Sequence, residues 1–446
     1  MRNLPNYLVS GEDARLIPVI SESNKEQRLL SPVLAAMAIV PEFTSEILGA
    51  MGVKVRKTTK IRTLTEVVFK NDKSELDRPD GLIILTTSGR EYRLLIEAKS
   101  RNADLDLEQI CKYLEIARSH GVDAVVTISN QFTANPKHSP VKVPSRLLNR
   151  VDLFHISWSF ISTNIDLLIG QNSIEDDERG LILREIQRYL SHHSSGVGGF
   201  TQMNKEWKDV VKAISSGSKI RKNNDGLQAT VSSWHQEQKD MCLMLSRHLL
   251  SDVVLQLPRK YKASSAEWVK ATLEELLDSN CLTAKIAVPD AVSILSVSVN
   301  LARKTATNSV KLKAPEDKKS AKARVNWLLR QMSEVKDSRF EVRMHYSGSK
   351  PHYTVNLLDL KENTSLSDDG SGGIPNYFEI LFHDELGSNF SGSKKFIEII
   401  EKNLTIFYDQ GVIGLKAWQP SAPKPVKIYE EEVIEVDVVP EIDSAD

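Results

Sequence analysis

The chain has 446 residues, with 58 Lys and Arg against 59 Asp and Glu, for a formal net charge of -1. That length leaves room for several domains with cores of their own, and 41% hydrophobic with 26% charged residues describes an ordinary folded protein, not a disordered or collagenous one. A uniformly basic nucleic-acid coat is excluded, so any polyanion has to be held by local basic patches or by metal.

The most apolar early stretch, Leu29 to Val40, is broken at Ser31-Pro32 and stopped by Pro41. It falls short of the roughly 20 apolar residues that a membrane span needs. Met1-Arg2-Asn3-Leu4-Pro5 runs into polar residues without the apolar core of a secretory signal. The expectation is a cytoplasmic chain without a membrane segment. Cys111, Cys242 and Cys281 are odd in number, far apart and without CxxC spacing. They suit neither a disulfide framework nor a zinc site and are expected as buried small hydrophobes.

After a polar lead-in, Leu29, Leu30, Val33, Leu34 and Met37 recur at helical spacing and predict a helix over Asn24 to Ala38, with a second over Thr44 to Met51. The pattern then changes to strands at Thr65 to Phe69, Leu82 to Thr86 and Tyr92 to Ala98. The last two are joined by Thr87-Ser88-Gly89-Arg90, a hairpin signal. Ile110, Tyr113, Leu114 and Ala117 predict a helix over Asp106 to Arg118, stopped by Gly121. Ala124 to Ile128 has the β-branched content of a buried central strand. Leu153 to Ile156 is a further strand and Asp176 to Ser191 a polar-faced helix. This order predicts a mixed sheet flanked by helices.

Ser194-Ser195-Gly196-Val197-Gly198-Gly199 has the composition of a flexible linker. A short helix and the polar run Ser215 to Gly226 follow, then helices over Leu227 to Leu250 and Ser265 to Leu277. Strict alternation at Leu295 to Leu301 and Phe340 to Tyr346 marks half-buried antiparallel strands. With a helix over Asp317 to Met332 between them, they define an α+β domain. Between positions 303 and 324 stand eight bases, Lys318, Lys319, Lys322 and Arg324 among them, against two acids. This run is either a solvated face or a surface that tracks phosphates. The loop Ser365 to Gly373 precedes a strand at Phe378 to Phe382 and a helix at Lys394 to Phe407. From Glu430 to Asp446 there are eight acids and no base, the composition of a solvated tail. The paired His192-His193 has no ligand spacing. The division expected is therefore 1–193, a linker with a short helix at 194–226, an α+β domain at 227–364, a C-terminal α/β extension at 365–429 and the acidic tail 430–446.

The chemistry concentrates in Arg78-Pro79-Asp80-Gly81 and in Leu94-Leu95-Ile96-Glu97-Ala98-Lys99. A strand ending in Glu-Ala-Lys puts Glu97 and Lys99 on one face. With Ser88-Gly89 as a two-residue turn, paired positions sum to 177 and Asp80 falls opposite Glu97. Two carboxylates and an ammonium then meet at one end of a ribbon. Carboxylates without thiolates or imidazoles favour Mg²⁺ or Mn²⁺, and the lysine can stabilise charge on a phosphate or orient an attacking water. Together they suit metal-assisted phosphodiester hydrolysis. A bland alternative is a surface salt bridge between Glu97 and Lys99.

Pro79-Asp80 and Glu97-Ala98-Lys99, across a 16-residue gap, resemble the signature of the PD-(D/E)xK nuclease superfamily. Gln109 and Tyr113 on the following helix resemble the Q-x-x-x-Y element of its RecB-like branch; at i, i+4 they share a helix face. The additional upstream His or Gly-x-x-Asp elements of that branch are not evident. The resemblance spans about residues 24–160. It implies a restriction-endonuclease-like fold, metal ligation by Asp80 and Glu97, catalysis by Lys99, and support of the site or of the nucleic-acid backbone by Gln109 and Tyr113. It also implies an acidic residue on the first helix that completes the catalytic and metal-binding set: Glu26, with Glu22 and Glu66 behind it. The expected protein is a multidomain α/β and α+β, Mg²⁺-dependent nuclease acting on DNA rather than RNA, in antiviral defence, restriction or repair. Residues 200–430 would select substrate, bind a partner protein or form a homo-oligomer. Two rivals stand: a nucleic-acid-binding module that keeps the fold without catalysis, and an assembly or sensor component.

Overall fold

A computed structural model describes residues 4–21, 24–70, 78–101, 103–218, 224–347, 351–367 and 373–420. Glu22 and the acidic segment 430–446 lie outside the described residues. The first half builds a six-stranded sheet in the order β1-β2-β3-β4-β5-β6, from β1 (Leu8–Asp13), β2 (Lys60–Phe69), β3 (Gly81–Thr87), β4 (Arg90–Ala98), β5 (Ala124–Ser129) and β6 (Asp152–Ser157). The first four strands are antiparallel; β5 and β6 run parallel to β4. Helices α1 (Lys25–Ile39), α2 (Pro41–Gly49), α4 (Trp158–Gly170) and α5 (Asp177–Ser191) bury one face through Leu30, Leu34, Ile161 and Leu183 against Ile83, Ile96 and Val126. On the other face α3 (Leu107–His120) sets Ile110, Tyr113 and Leu114 against Leu82, Leu95 and Val125. Apolar residues on both sides of β4 and β5 are what a sheet covered on two faces requires.

The second half adds α6 (Trp207–Ser215), α7 (Asp225–Leu249), α8 (Arg259–Ala263), α9 (Ser265–Ser279), α10 (Ala321–Gln331), α11 (Leu357–Glu362) and α12 (Ser393–Ile406). These helices accompany a seven-stranded antiparallel sheet in the order β12-β11-β13-β10-β9-β8-β7. Its strands are β7 (Val254–Leu255), β8 (Cys281–Ala287), β9 (Leu295–Asn300), β10 (Thr305–Lys313), β11 (Phe340–His345), β12 (Tyr353–Asn356) and β13 (Tyr377–Glu385). The alternation in β9 and β11 turns Val297, Val299, Val342 and Met344 into one core with Trp207, Trp234 and Phe396. Polar residues on the opposite face stay half-exposed. The chain is thus a multidomain α/β protein with a mixed and an antiparallel sheet, and no single helix among the described residues is long and apolar enough to cross a membrane.

Several expectations need correction. The polar lead-in holds β1, an edge strand with two register shifts that its polar pattern conceals. The second helix starts earlier than Thr44, at Pro41, where proline suits a first turn. β13 is no part of a separate extension over 365–429, since it lies between β10 and β11 in the middle of the second sheet. The short helix α6 does not stand apart in a linker; Trp207, Val210 and Val211 belong to the second core. Nor is 194–199 free: Asn130 Nδ2 donates to Gly196 O at 2.7 Å and Gly198 N to Asn130 Oδ1 at 3.3 Å. Of the three free cysteines only Cys242 is fully buried, while Cys111 and Cys281 are half-buried.

Candidate active site

The tight link between β3 and β4 sets the geometry. Ser88 and Gly89 have φ of 52° and 77°, the pair of positive values that a two-residue hairpin turn favours. The ladder runs from Thr87 opposite Arg90 to Gly81 opposite Ile96, so the next step brings Asp80 opposite Glu97. Asp80 Oδ2 accepts from Ala98 N at 2.8 Å, which fixes the carboxyl against the end of β4. A Cβ on Gly81 would lie 2.7 Å from Leu34 Cδ1. The glycine therefore lets α1 approach this end of the sheet closely, with Glu26 in its first turn.

Glu97 and Lys99 share a face, as strand alternation requires, and lie beneath α3. Lys99 Nζ stands 2.6 Å from Glu97 Oε1 and donates to Gln109 Oε1 at 3.0 Å. Gln109 Nε2 donates to Tyr113 Oη at 2.9 Å, and Tyr113 Oη donates to Arg78 O at 3.2 Å. A single run of bonds thus ties the strand end, one turn of α3 and the residue before Pro79-Asp80. Glu97 is 1% exposed, which rules out the surface salt bridge. The backbone around Lys99 is held on both sides: Lys99 N donates to Ile128 O at 2.8 Å, and Trp158 Nε1 donates to Lys99 O at 2.7 Å. Glu26 sits beside this group, accepting from Ser100 Oγ at 3.0 Å.

Burial first, and then the neighbouring Glu97, raise the Asp80 carboxyl well above its ordinary range, against the bond from Ala98 N and the pull of Lys99. Burial likewise raises Glu97, although Lys99 opposes it. Burial alone would lower Lys99, but its bond to Glu97 and the field of Asp80 and Glu26 prevail and hold it protonated. Tyr113 is pushed up by burial and by Glu97. One ammonium therefore under-compensates the acids. Glu97 Oε2 is also buried with no donor bonded to it among the described residues, where an unmet acceptor is costly, and the Asp80 carboxyl and the Tyr113 hydroxyl are its polar neighbours. An excess of negative charge and a spare carboxylate oxygen fit a hard divalent cation. Among the described residues no group of three or more His, Cys, Asp or Glu is arranged to hold a metal ion. Asp80 and Glu97 would therefore be the core of such a site, with water, backbone or phosphate oxygens supplying the rest.

The structure brings Asp80, Glu97, Lys99, Gln109 and Tyr113 into one connected group, with Glu26 at its margin. Glu66 is linked through its backbone, Glu66 N donating to Asp80 O at 3.3 Å, and its side chain lines a separate pocket of about 190 Å³ with Glu12 and Asp13. Lys318, Lys319, Lys322 and Arg324 belong to the second sheet's domain, the first two just before α10 and the other two in its first turns. Lys318 pairs with Asp317 at 3.6 Å, Lys319 donates to Glu316 O at 3.2 Å, and Lys322 is exposed. Arg324 is a clamp, donating to Lys318 O at 2.9 Å and to Pro375 O at 2.8 Å. Sequence reasoning missed Ser100 and Trp158, the partners of Glu26 and Lys99. It also missed His155, which continues the cross-strand row Glu97, Thr127, His155. Its Nδ1 lies 2.9 Å from Thr127 Oγ1, and burial lowers its pKa to about 4. Ser100 adjoins the motif and was findable; Trp158 and His155 come from strands and helices remote in sequence. No family model and no curated protein sequence matches the chain.

Proposed function

We propose that the chain is a Mg²⁺-dependent nuclease, with the restriction-endonuclease-like fold of the PD-(D/E)xK superfamily in its first half, that hydrolyses phosphodiester bonds in DNA. The observation that carries this reading is the meeting of Asp80, Glu97 and Lys99 at one strand end with a buried, unpartnered carboxylate oxygen. Asp80 and Glu97 would hold the cation, with Glu26 close by, and Mn²⁺ is an acceptable substitute. The cation would supply Lewis acidity to the phosphate and lower the pKa of water. Lys99, kept charged by the acids around it, stabilises negative charge gathering on the phosphorus oxygens. Gln109 orients the ammonium, and Tyr113 fixes Gln109 against the Arg78 backbone. Trp158 and Ile128 hold the main chain of Lys99 one residue past the end of β4, so the ammonium springs from a pinned backbone.

Nicking of supercoiled plasmid in Mg²⁺ tests the proposal. The wild type should nick, and EDTA should stop it. Asp80→Asn, which keeps shape and can still accept from Ala98 N, should lose at least 100-fold in rate, as should Lys99→Ala. If a folded Asp80→Asn protein nicks like the wild type, Asp80 has no place in the chemistry. If the wild type itself does not nick DNA or RNA with Mg²⁺ or Mn²⁺, the enzyme reading fails, and the Glu97–Lys99 pair is a structural bond of a non-catalytic module.

A further inference from the structure

The parallel strands β5 and β6 are joined by residues 130–151, a long connection whose regular structure among the described residues is one 3-10 turn, Ser145–Leu148. Connections of that length within a compact domain are commonly functional. This one has four cations, Lys137, Lys142, Arg146 and Arg150, and no Asp or Glu, in a chain whose net charge is -1. It forms one wall of a groove of about 1110 Å³. The other wall is the start of α9 together with Gln228, Ser232 and Gln236 of α7. Lys137 and Lys142 line the first wall and Lys270 the second, and no carboxylate lines the groove. All three lysines are exposed; acids stand at the margins, Asp104 bonded by Gln131 Nε2 at 3.3 Å and Glu267 in the first turn of α9.

The walls are fastened to each other. Asn135 Nδ2 and His138 Nε2 both donate to Lys262 O, at 3.3 and 2.9 Å, and Phe132 N donates to Gln236 Oε1 at 3.2 Å. The floor is apolar, with Phe132, Val143, Leu153 and Val269 among its residues. The backbone N–H groups at the start of the 15-residue α9 add partial positive charge to the same space. Gln131 is among the residues that line the groove, and its Oε1 is buried without a partner among the described residues. That position is three residues beyond Ile128, the acceptor of Lys99 N. A polyanion in the groove would therefore contact the chain just past the end of β5, the strand whose Ile128 O holds Lys99 N.

We propose that the groove between the 130–151 connection and α9 is a nucleic-acid track, in which Lys137, Lys142 and Lys270 meet successive phosphates of a strand led to the Asp80–Glu97–Lys99 group. The proposal rests on the nuclease reading for the direction of the strand, but its test does not. Binding of a fluorescein-labelled single-stranded DNA oligonucleotide to the full chain is measured by anisotropy without divalent cation, across a salt series. The wild type is compared with the combined variant Lys137→Glu, Lys142→Glu, Lys270→Glu, and thermal melting checks that both are folded. The variant should bind at least 10-fold more weakly, and its log K against log salt slope should be shallower by about 2, three contacts at about 0.7 each. An affinity within twofold of wild type with an unchanged salt slope, or no binding by the wild type, overturns the track. Plasmid nicking is scored alongside: cutting with binding unchanged in the variant sinks the track alone, and groove-dependent binding without cutting sinks the nuclease reading alone.

Discussion

Asp80 and Glu97 both have carboxyls raised by burial, so each favours the folded chain in its protonated form. The unfolded chain ionises in the ordinary carboxylate range. The stabilising contribution is therefore present below that range and is lost as pH rises through the raised folded values. Asp80→Asn removes one of two crowded acids while keeping its acceptor for Ala98 N. At pH 7 to 8 it should be more stable than the wild type by roughly 1 kcal/mol, seen as a melting temperature higher by about 2–4 °C. The gap should close toward pH 4, and Mg²⁺ should raise the melting temperature of the wild type but not of the variant. A variant less stable than wild type at pH 8 would mean that the acids do not repel. Tyr113→Phe has the opposite sign. It removes the bonds from Gln109 and to Arg78 O and leaves the Gln109 amide unpaired. Urea unfolding should show a loss of about 1–2 kcal/mol, and nicking should slow because Gln109 no longer holds Lys99 in one place.

Among elements, the glycine-rich segment 194–199 shows how composition misleads. Gly196 has φ of 76°, and a Cβ there would stand 2.5 Å from Arg101 Cγ; on Gly199 it would stand 2.7 Å from Asp240 Oδ2. These glycines allow close approach, and Asn130 ties the segment down at Gly196 and Gly198. Gly196→Ala should therefore cost more than 1 kcal/mol, because both its φ and its space are unsuited to alanine, and limited proteolysis of the wild type should spare 194–199. Rapid cleavage there would show a free linker after all. The same contrast separates what the sequence disclosed from what it hid. The Ser88-Gly89 turn and the flanking apolar runs carry their own register, so Asp80 opposite Glu97 followed from local rules. The heptad-like apolar spacing of α3 likewise placed Gln109 and Tyr113 together. β8 and β10 stayed hidden because Thr and Lys occupy their outer faces and Asn308 sits buried among the apolar residues of β10, so the basic composition of 303–324 obscured a central strand. Trp158 and His155 reach the site through the pairing of β5 with β6, a long-range fact that no window of sequence contains.

At the scale of the molecule, the two sheets are joined by a buried polar seam. Arg247 of α7 donates to Ser159 and Thr163 of α4 at 3.1 and 2.7 Å, and Asp240 Oδ2 accepts from Phe200 N at 2.5 Å. Nearby, Glu237 is wholly buried with neither carboxyl oxygen bonded among the described residues. Burial raises it well above the ordinary range, helped by Glu401 and Asp240. Burial also raises Asp240 to about 6, against the bond from Phe200 N and the charge of Arg247, and Glu401 to about 7, with Asp240 adding and Arg247 opposing. All three are therefore acids that the fold prefers protonated. Their contribution is complete below the unfolded carboxylate range of about 4, and shrinks as pH climbs through about 6 and then about 7. Calorimetry between pH 5 and pH 8 should show the melting temperature falling across this window. Glu237→Gln and Glu401→Gln should each flatten that fall, and together should flatten it most, since the carboxylates act on one another. Asp80→Asn, acting at the far strand end, should leave this seam's share of the slope in place, so the double substitution Asp80→Asn with Glu401→Gln should add the two effects. A melting temperature flat from pH 5 to pH 8 in the wild type would mean that water or a bound cation reaches Glu237 and neutralises the seam.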